Sequence, residues 1–203
     1  MTPLVLGAAT ALAAANAAQV QQARHEGCVE SVAELPEAPH VDPSDRRLTR
    51  RHLLVAHKSA RRLMLFDRGT LTACYRVGLG FSPEGDKKIE GDGKTPVGWY
   101  PTSDKPWSVF DGAIAIHYPN VADAEAGLAD GTISRRQRDD IVDKSRLRAV
   151  PPQRTPMGGA VLIHGGGSSA DWTLGCIALE DSDLADLRAR MPRSMKTDLL
   201  VIE

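Results

Sequence analysis

The stretch Val161-Leu162-Ile163-His164-Gly165-Gly166-Gly167-Ser168-Ser169-Ala170-Asp171-Trp172-Thr173-Leu174-Gly175-Cys176-Ile177-Ala178-Leu179 decides how the whole chain is read. Three apolar residues run straight into His164, which opens a glycine run. A short polar loop follows, and Cys176 then leads into a second apolar run. This pattern predicts two strands that each deliver one reactive side chain to the same rim. A cysteine and a histidine placed this way can act as nucleophile and base. The imidazole takes the thiol proton and later returns one to a leaving amine. Glycines allow backbone N–H groups to approach a substrate carbonyl closely, where they can hold the oxyanion of an acyl-transfer intermediate. The bland alternative for the same two residues is a buried structural cysteine and a histidine satisfied at a strand end. A metal site needs three or four ligands, and no second Cys or His lies near this pair in sequence.

The same stretch resembles the active-site motif of the L,D-transpeptidase catalytic domain (YkuD) family. That motif is His-Gly, a loop, then Ser/Thr-His-Gly-Cys and an aliphatic residue. His164-Gly165 matches the first part, and Thr173, Gly175, Cys176 and Ile177 match the second. Leu174 stands where most members carry a second histidine, and Ala178 where many carry an arginine. Gly91-Asp92-Gly93-Lys94-Thr95-Pro96-Val97-Gly98-Trp99-Tyr100 is similar to the family's Gly-Asp-x-x-Thr-Pro-x-Gly-x-Tyr segment.

The resemblance implies a mainly β (α+β) domain, a sandwich or meander with short helices, over residues 52–203. It makes Cys176 the nucleophile and His164 its base. Gly175 and Cys176 become the backbone oxyanion donors, with Gly165 and Thr173 as support, Thr173 orienting the loop or bonding His164. Asp171 is a loop cap or a contact for a substrate ammonium. The implied partner is the peptide stem of bacterial peptidoglycan, in cell-wall biogenesis and cell shape. The implied chemistry is acyl transfer that needs neither a metal nor an organic cofactor. The implied location is exported, in the periplasm or peripheral to the cell wall. Leu174 and Ala178 remove a hydrogen-bonding group and a fixed charge, so substrate choice is expected to shift. Hydrolysis of a murein amide, a non-catalytic wall-binding module and, with the wrong residue order, a papain-like hydrolase remain as alternatives.

Composition sets the outer bounds. The chain has 203 residues, room for one domain plus a tail. Lys and Arg number 25 against 26 Asp and Glu, which argues against a nucleic-acid binder. Aromatics make up only 4%, so the core must be largely aliphatic.

Residues 1–18 form an alanine-rich apolar start with Ala15-Asn16-Ala17 as a cleavage-like site, read as a signal peptide; an alanine-rich helix is the alternative. Residues 19–51 read as a polar spacer with one helical turn near Glu30 to Leu35. Leu53–Ala56, Leu63–Phe66 and Thr70–Leu79 predict a β-meander. Strands are also expected over Ala113–Tyr118 and Leu199–Ile202. Ser134 is expected to cap a helix whose charged face is solvated or, alternatively, forms a flap over the cleft. Ser182 or Asp181 is expected to cap a second helix with Leu184, Leu187 and Met191 inward. Cys28 and Cys74 are the only cysteines outside the motif. In an exported protein they are candidates for a disulfide; otherwise Cys74 is a small core residue and Cys28 is free.

Overall fold

The computed structural model describes residues 26–203. The expected signal segment, residues 1–18, lies outside the described residues. Eight strands form one curled sheet: β1 (Arg51–His57), β2 (Arg62–Asp67), β3 (Thr70–Arg76), β4 (Gly98–Asp104), β5 (Ile114–Ile116), β6 (Leu162–His164), β7 (Ile177–Ala178) and β8 (Asp198–Ile202). Their order in the sheet is β3-β2-β1-β8-β4-β5-β6-β7. The β1–β2–β3 meander is antiparallel, as the turn residues predict. The last strand, β8, returns to the middle of the sheet and runs parallel to β1 and antiparallel to β4. Beyond β3, Gly78 bridges Ala178 and Gly80 bridges Thr173, so the two edges of the sheet meet. The fold is therefore mainly β, with a curled sheet whose edges close on one another.

The central strands read as continuous apolar runs because both of their faces are covered. Leu54 and Ala56 of β1 and Leu199 and Val201 of β8 enter the main core inside the curl. Their neighbours Leu53, Val55, Leu200 and Ile202 enter a second core on the outer face. A side-chain period of two makes this division unavoidable.

The outer core needs a lid, and residues 26–50 supply it. This stretch, expected as a spacer, packs against the sheet through Val29, Val32, Leu35, Val41 and Leu48. Its single turn of 3-10 helix is Val32–Glu34. The Val32 N–H donates to Gly69 O at 3.0 Å and the Leu71 N–H to Glu30 O at 2.9 Å. Arg47 lies over the Trp99 ring, 3.9 Å from its centroid, and Trp99 Nε1–H donates to His40 O at 2.9 Å. A disulfide between Cys28 and Cys74 fixes the stretch to β3.

Three α-helices complete the described residues. Helix α1 (Val121–Ala129) has a capping box between Asn120 and Asp123. Helix α2 (Arg135–Arg146) starts at Ser134 as expected, in a capping box with Gln137. Helix α3 (Asp181–Arg190) buries Leu184 and Leu187, with Met191 buried just beyond it. Its N-cap is Glu180 with no side-chain capping bond, which corrects the expectation of a Ser182 or Asp181 cap. Among the described residues, no helix is long and apolar enough to cross a membrane.

The disulfide closes a loop across a sequence separation of 46. The Cys28→Ser/Cys74→Ser double variant is expected to lose about 2–4 kcal/mol of stability. A lower urea midpoint with an unchanged rate of Cys176 modification is the expected readout.

Candidate active site

Strand β6 ends at His164 and β7 begins just after Cys176. The two strands run parallel, with Ile163 beside Ile177 and His164 beside Ala178. Ile163 and Ile177 both point into the main core. Alternation then turns Leu162, His164 and Cys176 to the opposite face. Cys176 packs there against Ala113, Ala115 and Leu162. His164 and Cys176 are thus diagonal neighbours on one face, and both line a cavity of about 860 Å3.

The imidazole is held on three sides. Its Nδ1 lies 2.5 Å from Gly165 O. A carbonyl can only accept, so Nδ1 carries the proton and Nε2 is left with its lone pair. The ring stacks on Phe110, with centroids 4.1 Å apart and planes 16° apart. Trp172 meets it edge-on at 5.6 Å. Burial lowers the His164 pKa, with the Gly165 bond opposing, so the ring is neutral at pH 7.

The thiol sits in backbone polar groups. The Leu162 N–H donates to Cys176 Sγ at 3.3 Å, and Sγ–H donates to Ala160 O at 3.7 Å. Burial pushes the Cys176 thiol above its ordinary value, opposed by the Leu162 N–H, Lys105 and Lys87. A neutral thiol faces a neutral imidazole, because desolvation disfavours both charged forms.

The supporting residues resolve into distinct jobs. Thr173 Oγ1–H donates to Cys176 O at 2.8 Å, and the Gly175 N–H donates to Thr173 Oγ1 at 3.1 Å. Thr173 thus ties the loop instead of bonding His164. The Gly175 N–H is engaged within the loop, which makes the Cys176 N–H the freer donor candidate of that pair. Gly175 has φ +127, and a Cβ there would lie 2.5 Å from Lys94 O. Gly165 is similarly constrained, since a Cβ would collide with the Asp181 carboxylate.

Asp171 accepts a two-pronged pair from Arg61, with Nη2 at 2.7 Å and Nε at 3.1 Å, and takes the Leu79 N–H at 2.9 Å. It is a loop tether, not a free substrate contact. The first half of the Gly91–Tyr100 segment lies beside the site, with Gly91 in the cavity wall and Thr95 Oγ1–H donating to Cys176 O at 3.5 Å. Asp92 collects Lys87 Nζ at 2.8 Å and the N–H groups of Lys88, Ile89 and Lys94. Thr95, fully buried, accepts the Gly80 N–H at 3.1 Å.

Sequence reasoning missed several residues. Glu180 accepts the Ser168 N–H and Oγ–H at 2.8 and 2.9 Å, and Asp181 accepts the Gly166 N–H at 2.9 Å. Both sit at the start of α3 but hold the loop between β6 and β7. The cleft is covered by the β4–β5 loop that carries Trp107, Val109 and Phe110. The alternative of an α2 flap is not met, since no α2 residue lines the cavity; Arg138 pairs instead with Glu125 and Asp139. A signal for this loop existed. In a chain with three tryptophans and three phenylalanines, Trp107, Phe110 and Trp172 all line this one cavity.

A family model of the L,D-transpeptidase catalytic domain (YkuD) matches residues 51–200. The chain belongs to this family. Among solved structures, the chain is similar to the helical cell shape determining protein Pgp2 (K307A mutant) from Campylobacter jejuni. That match has 26% identity and a TM-score of 0.51, covering 75% of this chain and 47% of that one. Bd1075 of Bdellovibrio bacteriovorus is 18% identical with a TM-score of 0.48, over 78% of this chain and 50% of that one. An L,D-transpeptidase from Mycobacterium tuberculosis H37Rv is 13% identical with a TM-score of 0.41, over 75% and 57%. The chain thus spans about half the length of the first two. No curated protein matches the chain.

Within the YkuD domain two results are expected. Alkylation of Cys176, the one free cysteine among the described residues, should be slow at neutral pH. The raised thiol pKa means that the rate still climbs above pH 9; a plateau below pH 7 would instead reveal a thiolate–imidazolium pair. Gly175→Ala should cost at least ~2 kcal/mol from backbone strain and abolish turnover, read by thermal melting and product analysis.

Proposed function

We propose that this chain is a cysteine acyltransferase acting on peptidoglycan stem peptides, with Cys176 as nucleophile and His164 as base. One observation carries the reading: His164 and Cys176 stand on one face of the parallel β6–β7 pair, with His164 Nδ1 fixed on Gly165 O. That leaves Nε2 as the atom that accepts the thiol proton.

The reaction runs in two halves. As Sγ attacks the amide carbonyl, its proton passes to His164 Nε2, and a C–S bond forms. The oxyanion is met by backbone donors, with the Cys176 N–H first among them. The C–N bond then breaks, and the leaving amine takes the proton from Nε2. In the second half an amine of a neighbouring stem attacks the thioester, gives its proton to Nε2, and releases Cys176. The result is a cross-link or attachment.

Water as the acceptor is the second reading, and a particular observation favours it. Leu174, in place of the family's usual histidine, is 74% exposed at the cavity wall. Ala178, in place of an arginine, is fully buried against Gly78. Neither offers a polar hold on a second charged stem. The acyl-enzyme is common to both readings.

The wall setting rests on family membership, and the Cys28–Cys74 bridge suits an oxidising compartment outside the cytoplasm. Export by residues 1–18 belongs to the same proposal. The likeness to Pgp2, a helical cell shape determining protein, supports a role in shaping the wall.

Mass spectrometry of sacculus fragments tests the proposal. A cross-linked dimer is the expected product for transfer, and shortened free stems for hydrolysis. Cys176→Ala should abolish both, and His164→Ala should slow turnover by about 10²–10⁴. Sacculus binding without any product, unchanged in Cys176→Ala, would instead make the chain a wall-binding module.

A further inference from the structure

The cavity that holds Cys176 has three ionisable side chains in its wall besides the catalytic pair: Lys87, Lys105 and Glu90. They are not equivalent. Lys87 is buried and neutralised. Its Nζ donates to Asp92 Oδ1 at 2.8 Å and to Ile89 O at 3.0 Å, and the side chains of this pair are only 3% and 10% exposed. Its charge is committed to holding the 87–94 loop. Glu90 is exposed on the far side, where its side chain packs near Gly158.

Lys105 is different. It is half-buried and has no ion-pair partner among the described residues. Its backbone is fixed: the Lys105 N–H donates to Ala113 O at 3.1 Å, and Lys105 O accepts the Ser108 N–H at 3.1 Å. It therefore stands at the neck of the β4–β5 loop, not at its moving tip. Ala113, its backbone partner, packs in the same small cluster as Cys176. Lys105, without an ion pair among the described residues, thus lines the same cavity as the nucleophile and its charge bears on the Cys176 thiol, in a wall that also carries Trp107, Val109, Phe110, Trp172 and Leu174. An apolar wall raises the worth of a charge–charge contact and the cost of leaving it unmade.

We propose that Lys105 is the specificity residue of this site and reads a free carboxylate on the acyl donor beside the bond that Cys176 attacks. The assignment rests on the acyl-enzyme reading given above, since it concerns which substrates reach Cys176. It assigns Lys87 a separate, structural role. A donor ending in a carboxylic acid one residue past the scissile carbonyl meets Lys105. The same donor ending in a carboxamide does not.

A pair of small electrophiles tests this without any need for peptidoglycan chemistry. Iodoacetate and iodoacetamide each form a C–S bond at Cys176 with loss of iodide, and they differ in carrying a carboxylate or a neutral amide. The readout is the ratio of their rates, from which any change in the thiol itself cancels. Lys105→Met is expected to lower the iodoacetate-to-iodoacetamide ratio by about three- to tenfold, and Lys105→Arg to retain most of it. Turnover of stem peptides ending in an acid or an amide forms the second arm. The acid preference in kcat/KM should fall in Lys105→Met and survive in Lys105→Arg.

An unchanged electrophile ratio in Lys105→Met overturns the proposal, including the case where both rates fall together. A ratio that depends on Lys105 in an enzyme that turns over no stem keeps the carboxylate subsite. That outcome removes the peptidoglycan reading instead.

Discussion

The parallel pairing of Leu162–His164 with Ile177–Ala178 is the constraint on which the site depends. It puts a histidine at the end of one strand and a cysteine at the start of the next on the same face. Yet β6 has three residues and β7 two, too few ladder bonds to hold a geometry alone. The rest of the local structure compensates. Gly78 exchanges backbone hydrogen bonds with Ala178 at 2.9 and 2.8 Å, while Asp171, Thr173, Glu180 and Asp181 each tie one part of the connecting loop. The carboxylates at the head of α3 serve that loop and not their own helix. The curl of the sheet follows from the same need, because β7 finds its outer partner only when the chain beyond β3 comes round to meet it.

Electrostatics gives the site its resting character. Burial raises the thiol and lowers the imidazole, so both groups are neutral until a substrate arrives. A neutral thiol is a poor target for oxidants, since reactivity follows thiolate character. That suits a lone free cysteine in the oxidising compartment proposed for this chain. In the proposed reaction, activation then has to come from the base at the moment of attack. This explains why the imidazole is gripped by a carbonyl, a stacked phenyl ring and an indole edge. A ring free to turn would lose the Nε2 direction, and general-base transfer depends on that direction.

The outer face of the sheet shows how composition can mislead. Residues 26–50 contain few apolar side chains and several prolines, the signature of a linker. Five modest hydrophobes spaced along it are nonetheless enough to cover the strip formed by Leu53, Val55, Leu200 and Ile202. The clue was in the strands and not in the segment. A run such as Leu199-Leu200-Val201-Ile202 has no polar face, so something has to lie on each side of it.

The sequence by itself determined the β-meander, the helix cap at Ser134, the apolar stripe of α3 and the family, because these rest on local periodicity, turn chemistry and a short motif. It also singled out Cys176 and His164, since the motif names them. Tertiary structure alone decided which way Thr173 and Gly175 face, which loop covers the cleft, and that Glu180 and Asp181 brace the catalytic turn. It also decided the protonation of the pair and left Lys105 without an ion pair among the described residues. Those properties depend on what lies across space from each group. A hydrogen bond of 3 Å and a desolvated thiol are set by residues far away in the chain, and no window along the sequence contains both partners.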